Sequence, residues 1–191
     1  MSYITYHTPW ANLSNTPFRL YKQNQHEGGI STPLIVHWPK GIARGGTITH
    51  QIGHITDLMA TCLEVAGAKY PKTNSRGQKV SPMRGRSLAP IFRGETREAS
   101  DPVFFHFSSN RAVRSGKWKL SWTGKGPWEL YDLDKDRTEL VDLSGKFHGR
   151  AKEMAASWEQ WFKATSGGTF KGRKRKGNKA NRNKKNKSPQ G

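Results

Sequence analysis

The chain has 191 residues, with 33 Lys or Arg against 14 Asp or Glu, for a net charge of +19. A single cysteine, Cys62, rules out an internal disulfide, and no apolar run is long enough for a membrane-spanning helix. Ten of the basic residues fall in residues 171–191, which hold no acid, so about half the excess is terminal and the body is still basic, a balance that attracts acidic partners such as nucleic acid or acidic polysaccharide.

Residues 1–19 read as a loop, because His7, Pro9, Trp10, Asn12, Asn15 and Pro17 break any period. His7 and the asparagines fit solvated loop positions better than a binding site. Residues 22–33 form a polar stretch with Lys22, the pair His26-Glu27 and the glycines Gly28-Gly29. Paired glycines permit a turn that side chains would forbid, and Pro33 favours extended chain before it. The run Leu34-Ile35-Val36-His37-Trp38, closed by Pro39, predicts a short buried strand. Polar loops carried on rigid strands are where chemistry tends to sit. Lys22 is therefore the first candidate: its ammonium is a compact charge with three donors.

Residues 40–46 read as a turn and residues 47–52 as a short strand. Residues 55–66 predict a helix, since Ile55, Leu58, Met59, Cys62 and Leu63 fall at helical spacing. Asp57 sits in its first turn and Gly67 just past its end. Cys62 lies on the apolar face and is assigned to the core. Residues 69–83 are polar and turn-rich, and residues 95–101 form the expected boundary. Beyond Pro102 the pattern becomes strand-like: 103–107, then a hairpin of 112–114 and 118–122, then 128–133. Trp118, Leu120 and Trp122 alternate, giving one apolar face. Residues 147–164 predict an amphipathic helix whose stripe, with Phe147, Ala151, Met154, Ala155, Trp158, Trp161 and Phe162, covers that sheet. The last residues are rich in Lys, Arg, Asn and Gly and bury too little surface to fold alone.

Lys22, placed five residues before Glu27-Gly28-Gly29, and the following Pro33-Leu34-Ile35-Val36-His37-Trp38-Pro39 resemble the sulfatase family, the arylsulfatase-type branch of the alkaline-phosphatase-like enzymes. The resemblance continues through Leu63-Glu64-Val65-Ala66-Gly67, the connector from Gly85 to Gly94, Asn110-Arg111-Ala112-Val113-Arg114, Trp118-Lys119-Leu120, Glu129-Leu130-Tyr131-Asp132-Leu133 and Glu139-Leu140 with Asp142-Leu143. It covers roughly residues 10–162. It implies an α/β fold class: the C-terminal part of an alkaline-phosphatase-like sulfatase fold, ending in a small antiparallel sheet packed by a C-terminal helix. The implied organisation is the end of the catalytic domain at 1–94, the sheet-plus-helix subdomain at 95–166 and a basic disordered tail at 167–191.

By the same resemblance the activity is hydrolysis of a sulfate ester, aryl sulfate or sulfated carbohydrate, with Lys22 as ligand of the sulfate oxygens. A preorganised cation of that kind stabilises charge that develops during transfer. His26 and His106 are candidate substrate contacts. Some relatives carry a histidine three residues before the asparagine matched by Asn110, where this chain has Phe107, and a strand histidine more often packs than reacts. Ser31-Thr32 depart from the arginine and small apolar residue of many members.

The complete family enzyme is expected to use a formylglycine and Ca2+, the latter held by three aspartates and an asparagine or glutamine, oxygen ligands that suit a hard cation. This chain has no aspartate before Asp57, and Cys62 is followed by Leu63-Glu64-Val65-Ala66 rather than by the x-Pro-Ser-Arg that a formylglycine cysteine requires. Enzymes lower barriers by about 8–23 kcal/mol, while one positioned donor supplies about 2.7–4 kcal/mol. Lys22 alone therefore makes no efficient sulfatase. The expectation is a C-terminal portion of a longer enzyme, inactive by itself, with Met1 an internal or misassigned start. Family members are often periplasmic or secreted, whereas residues 1–10 lack a basic segment followed by an apolar one. The alternative is a non-catalytic protein that binds nucleic acid or acidic polysaccharide through its basic tail.

Overall fold

A computed structural model of the chain describes residues 6–97 and 102–167. The tail expected at 167–191 lies outside the described residues apart from Gly167. Nine elements follow in order: α1 (Thr8–Ser14), α2 (Glu27–Ile30), α3 (Asp57–Val65), α4 (Ala89–Phe92), β1 (Val103–Phe107), β2 (Asn110–Ser115), β3 (Trp118–Trp122), β4 (Glu129–Asp132) and α5 (His148–Ser166).

The four strands form one antiparallel sheet in the order β1-β2-β3-β4. Its hairpins are short, and Gly116 turns the chain from β2 to β3 at φ +53°, a conformation that costs glycine little. Register sorts the side chains onto two faces. Phe104 stands opposite Val113, Val113 opposite Leu120, and Leu120 opposite Leu130. This apolar face meets α5, and with Ala151, Met154 and Trp158 it makes a closed core. Trp158 is wholly buried, stacks on Phe162 at 5.1 Å and donates its indole N–H to the Phe105 carbonyl at 3.0 Å. A buried aromatic with its polar tip satisfied is among the strongest anchors a small core has. Gly167 ends α5 in the left-handed conformation that glycine favours at helix ends. Here the alternation and the helical stripe read correctly, with boundaries shifted by one or two residues.

The opposite face of the sheet is also covered, which the alternation in β3 does not announce. Lys119 and Ser121, between the Trp and Leu positions, are both fully buried. Residues 19–31 lie across them.

Residues 6–97 correct several expectations. The loop expected over residues 1–19 contains α1: Pro9 occupies its first turn, where a missing N–H breaks no helical bond. The strand expected at residues 34–38 does not form, and neither does the one at residues 47–52. A strand needs a neighbour for its backbone groups, and none lies beside these segments among the described residues. Ile35 is 91% exposed and Ile48 88%. The predicted helix forms as α3, but its buried residues are Asp57, Ala60 and Thr61. Cys62, assigned to the core, is exposed, because the face it shares with Leu58 and Met59 is turned away from the other described residues.

The two polar residues that α3 buries, Asp57 and Thr61, are hydrogen-bonded. Asp57 accepts hydrogen bonds from the backbone N–H groups of His54 (2.9 Å) and Arg86 (3.0 Å) and from the Arg97 guanidinium (2.9 Å). Thr61 donates to the Asp57 carbonyl at 2.7 Å and accepts from the Leu88 N–H at 2.8 Å. These bonds tie α3 to the connector at 85–88 and to Arg97.

Candidate functional site

The stretch that holds Lys22 folds back on itself. The Gly28 N–H bonds to the Arg19 carbonyl at 3.0 Å, and the Gly29 N–H to the His26 carbonyl at 2.8 Å. A Cβ on Gly28 would lie 2.2 Å from the Leu20 carbonyl oxygen, and one on Gly29 2.1 Å from that of Asn24. Both glycines are therefore required by close backbone approach inside the short helix α2. The unusual φ values fall on Leu20 (+64°) and Gln23 (+80°), either side of Lys22.

This loop is fastened to the second face of the sheet at successive points. Arg19 donates to the Tyr131 hydroxyl (2.8 Å) and to the Glu139 carbonyl (3.1 Å). Asn110 in β2 donates to the Gln23 carbonyl at 2.7 Å, and Ser121 in β3 to the Gln25 carbonyl at 3.3 Å. His26 Nε2 donates to Glu129 at 2.9 Å. Glu27 accepts from Lys119 Nζ at 2.9 Å and from Arg137 at 3.3 Å, and its backbone N–H donates to Glu139 at 2.6 Å. Lys119 Nζ also lies 2.9 Å from Glu139 Oε1, as an ion pair without hydrogen-bond alignment.

Burial and charge decide the protonation of this cluster. Burial works to raise the Glu27 carboxyl, but the charge and hydrogen bond of Lys119, with Arg114 and Arg137, outweigh it and hold Glu27 below the usual carboxylate range. Burial pushes the His26 imidazole down, against the nearby Glu139 and Glu129 carboxylates, so His26 is neutral and its Nδ1 is left without a partner. Burial also raises the Tyr131 phenol, helped by its bond to Glu129.

The three residues proposed from sequence are placed very differently. Lys22 is exposed, with no hydrogen bond or ion pair among the described residues, between the two clamped ends of the loop. His26 is wholly buried and fastens the loop through its bond to Glu129. His106 stands on the opposite side of the sheet, edge-on to Trp158 (5.7 Å) and Phe162 (4.9 Å), with Nε2 donating to the Ser108 carbonyl at 3.0 Å. The structure thus places His106 across the sheet from the Lys22 loop. The residues missed in the sequence are Lys119, Glu129, Arg137 and Glu139. Lys119, Glu129 and Glu139 each stood in a motif quoted for the resemblance but without a role, and Arg137 stood in none.

Among the described residues no three His, Cys, Asp or Glu side chains gather to hold a metal ion. Asp57 is committed to three donors, and Cys62 lies on the exposed face of α3.

Residues 18–160 match the family profile described as N-sulphoglucosamine sulphohydrolase, C-terminal. A sulfatase of Formosa agariphila is 36% identical over 146 residues, covering 68% of this chain and 26% of that protein. Mouse N-acetylgalactosamine-6-sulfatase is 33% identical over 135 residues, covering 69% of this chain and 24% of its own length. The crystal structure of Ps i-CgsB superposes with a TM-score of 0.64 at 26% identity, over 76% of this chain and 32% of that one. The same protein has been solved in complex with k-i-k-neocarrahexaose. The chain therefore spans about a quarter to a third of the length of the relatives it matches.

Proposed function

The chain belongs to the sulfatases, matching the C-terminal domain of that family, and from this premise we propose that it is the C-terminal portion of a sulfuric ester hydrolase and carries that enzyme's sulfate-binding lysine, Lys22. The observation that carries the reading is the contrast within one loop. On both sides of Lys22 the chain is tied to the sheet, through the Arg19 side chain, the carbonyls of Gln23 and Gln25 and the His26 ring, while the Lys22 ammonium is exposed, without a partner among the described residues. A lysine on a fixed backbone with a free head is arranged to receive an anion. Its three donors would meet the sulfuryl oxygens and stabilise the charge that develops on them.

The nucleophile and the metal would come from parts of the enzyme outside this chain. Residues 1–94 would complete the catalytic domain, residues 95–166 would form the subdomain that supports the Lys22 loop, and residues 167–191 would be a basic tail. Sulfated carbohydrate is the favoured substrate class, because relatives are named for a sulfated amino sugar and one neighbour was solved with a carrageenan oligosaccharide, and the basic body suits such a polyanion.

The test is Lys22→Ala in the longer enzyme. Turnover of a sulfate ester should fall by about 10²–10³, the effect of removing one preorganised donor to developing charge. Unchanged turnover would remove Lys22 from the site.

A further inference from the structure

The Lys22 loop could have been packed on the sheet by apolar side chains, yet it is held by buried charges. Lys119, Glu27 and Glu139 are each at most 1% exposed. Lys119 Nζ stands 2.9 Å from a carboxylate oxygen of both glutamates, and Glu139 also takes the Glu27 backbone N–H at 2.6 Å. Around them stand Arg19, Arg137 and Glu129, with Arg114 near enough to act on Glu27, so both buried carboxylates face cations. Burying such groups costs desolvation, and an apolar replacement is often as stable. What the ionic arrangement adds is direction: each partner fixes both the distance and the orientation of the next.

We propose that Lys119, Glu27 and Glu139 form a positioning triad that sets the Lys22 loop, with the second face of β3 and β4 as its base plate. The inference rests on the reading of Lys22 as the sulfate ligand and extends it to residues remote from the substrate. Glu27 is gripped through both its carboxylate and its backbone. From it the chain returns toward Lys22 through the carbonyls of Gln25 and Gln23, which Ser121 and Asn110 hold. On the other side Arg19 reaches Tyr131 and the carbonyl of Glu139, the same residue that grips Glu27. Glu139 thus joins both ends of the loop, and it does so from a left-handed backbone (φ +58°) that a non-glycine residue adopts at a cost. Lys119, Glu27 and Glu139 do not touch substrate; they act through Lys22.

The experiment uses the full 191-residue chain and limited digestion with trypsin, reading cleavage after Arg19 and Lys22. The near-ultraviolet circular dichroism of the Trp158 cluster reports the sheet-and-helix core in parallel. Lys119→Met leaves Glu27 and Glu139 facing each other without their cation. Cleavage after Arg19 and Lys22 should then rise by about tenfold or more, with the near-ultraviolet spectrum kept. Adding Glu139→Gln removes the carboxylate repulsion and should slow cleavage again, a rescue that loss of packing alone would not show. Unchanged cleavage in Lys119→Met would overturn the proposal. So would loss of the near-ultraviolet spectrum together with faster cleavage, which would make the triad part of the general core.

A second readout separates this proposal from the reading of Lys22. Acetylation of the Lys22 amine, measured by mass spectrometry, should be slowed by inorganic sulfate in the unsubstituted chain, and this protection should be lost in Lys119→Met. If sulfate gives no protection in the unsubstituted chain, the sulfate reading of Lys22 fails, while the trypsin result still decides whether the triad holds the loop.

Discussion

Leu120 and Ile35 both read from the sequence as strand positions, yet Leu120 is wholly buried and Ile35 is 91% exposed. The sheet and α5 close on themselves: neighbouring strands are joined by short turns, and the helix that covers them follows β4 in the chain. Residues 6–97 hold comparable material without such partners. Among the described residues, fourteen of the eighteen large apolar side chains that stand exposed lie there, including Trp10, Leu34 and Met59, so this half lacks cover rather than hydrophobicity. Contiguous exposed apolar surface marks an interface, and the portion of a longer sulfatase that this chain does not span is the proposed occupant. Where the first half is firmly held, charge does it: Asp57 with Arg97, and the Lys22 loop with Lys119 and Glu139.

Substitutions should separate the two halves, beginning with the largest effect. Trp158→Ala removes the centre of the closed core and should destabilise the sheet and helix by about 3–5 kcal/mol, read from urea unfolding. Lys119→Met should cost about 3 kcal/mol, because it strands buried carboxylates. Gly28→Ala would press a methyl group into the Leu20 carbonyl and should cost about 1–3 kcal/mol. Ile35→Ser and Ile48→Ser should change the stability of this chain by less than about 0.5 kcal/mol, as for exposed positions generally. A large loss at Ile35 would break the contrast between the halves, since it would mean that the first half has cover of its own.

Acid sharpens the same comparison, because the groups that titrate lie in the charged seam between the loop and the sheet. His26 and Glu27 both have folded pKa values below their ordinary ones, near 6.5 and 4.5. The unfolded chain then binds more protons, so stability rises with pH. The His26 contribution should be lost as pH falls below about 6.5, and that of Glu27 as pH falls below about 4.5 through its lowered folded value. Glu27→Gln should remove the lower limb of a plot of unfolding free energy against pH. A limb that persists in that variant would show that other carboxylates carry it.

The sheet and α5 were legible because each records its own burial. Trp118, Leu120 and Trp122 alternate, and Ala151, Met154 and Trp158 fall on one helical stripe, and the elements they face lie within the same 65 residues or so of chain. Leu34-Ile35-Val36 reads as a strand for the same local reason, but a strand is completed by neighbours that this segment does not name. α3 shows the same limit: its apolar stripe is real, and what it meets here is solvent. Pro9 was misread because proline breaks a helix only past its first turn. The Lys22 loop was singled out by its motif. The ground it stands on was not, because a lysine between two strand residues reads as a solvated edge until a glutamate some 90 residues earlier is folded over it.

The central claim is that this chain is the C-terminal portion of a longer sulfatase, whose remaining part covers residues 6–97. The most direct test is the intact mass, under denaturing conditions, of the native protein recovered from its source with an antibody to residues 128–143. The account predicts a mass more than twice the 21.5 kDa of this chain. A mass of 21.5 kDa would contradict it, and the polyanion-binding alternative would then be tested by the salt dependence of nucleic acid binding with and without residues 171–191.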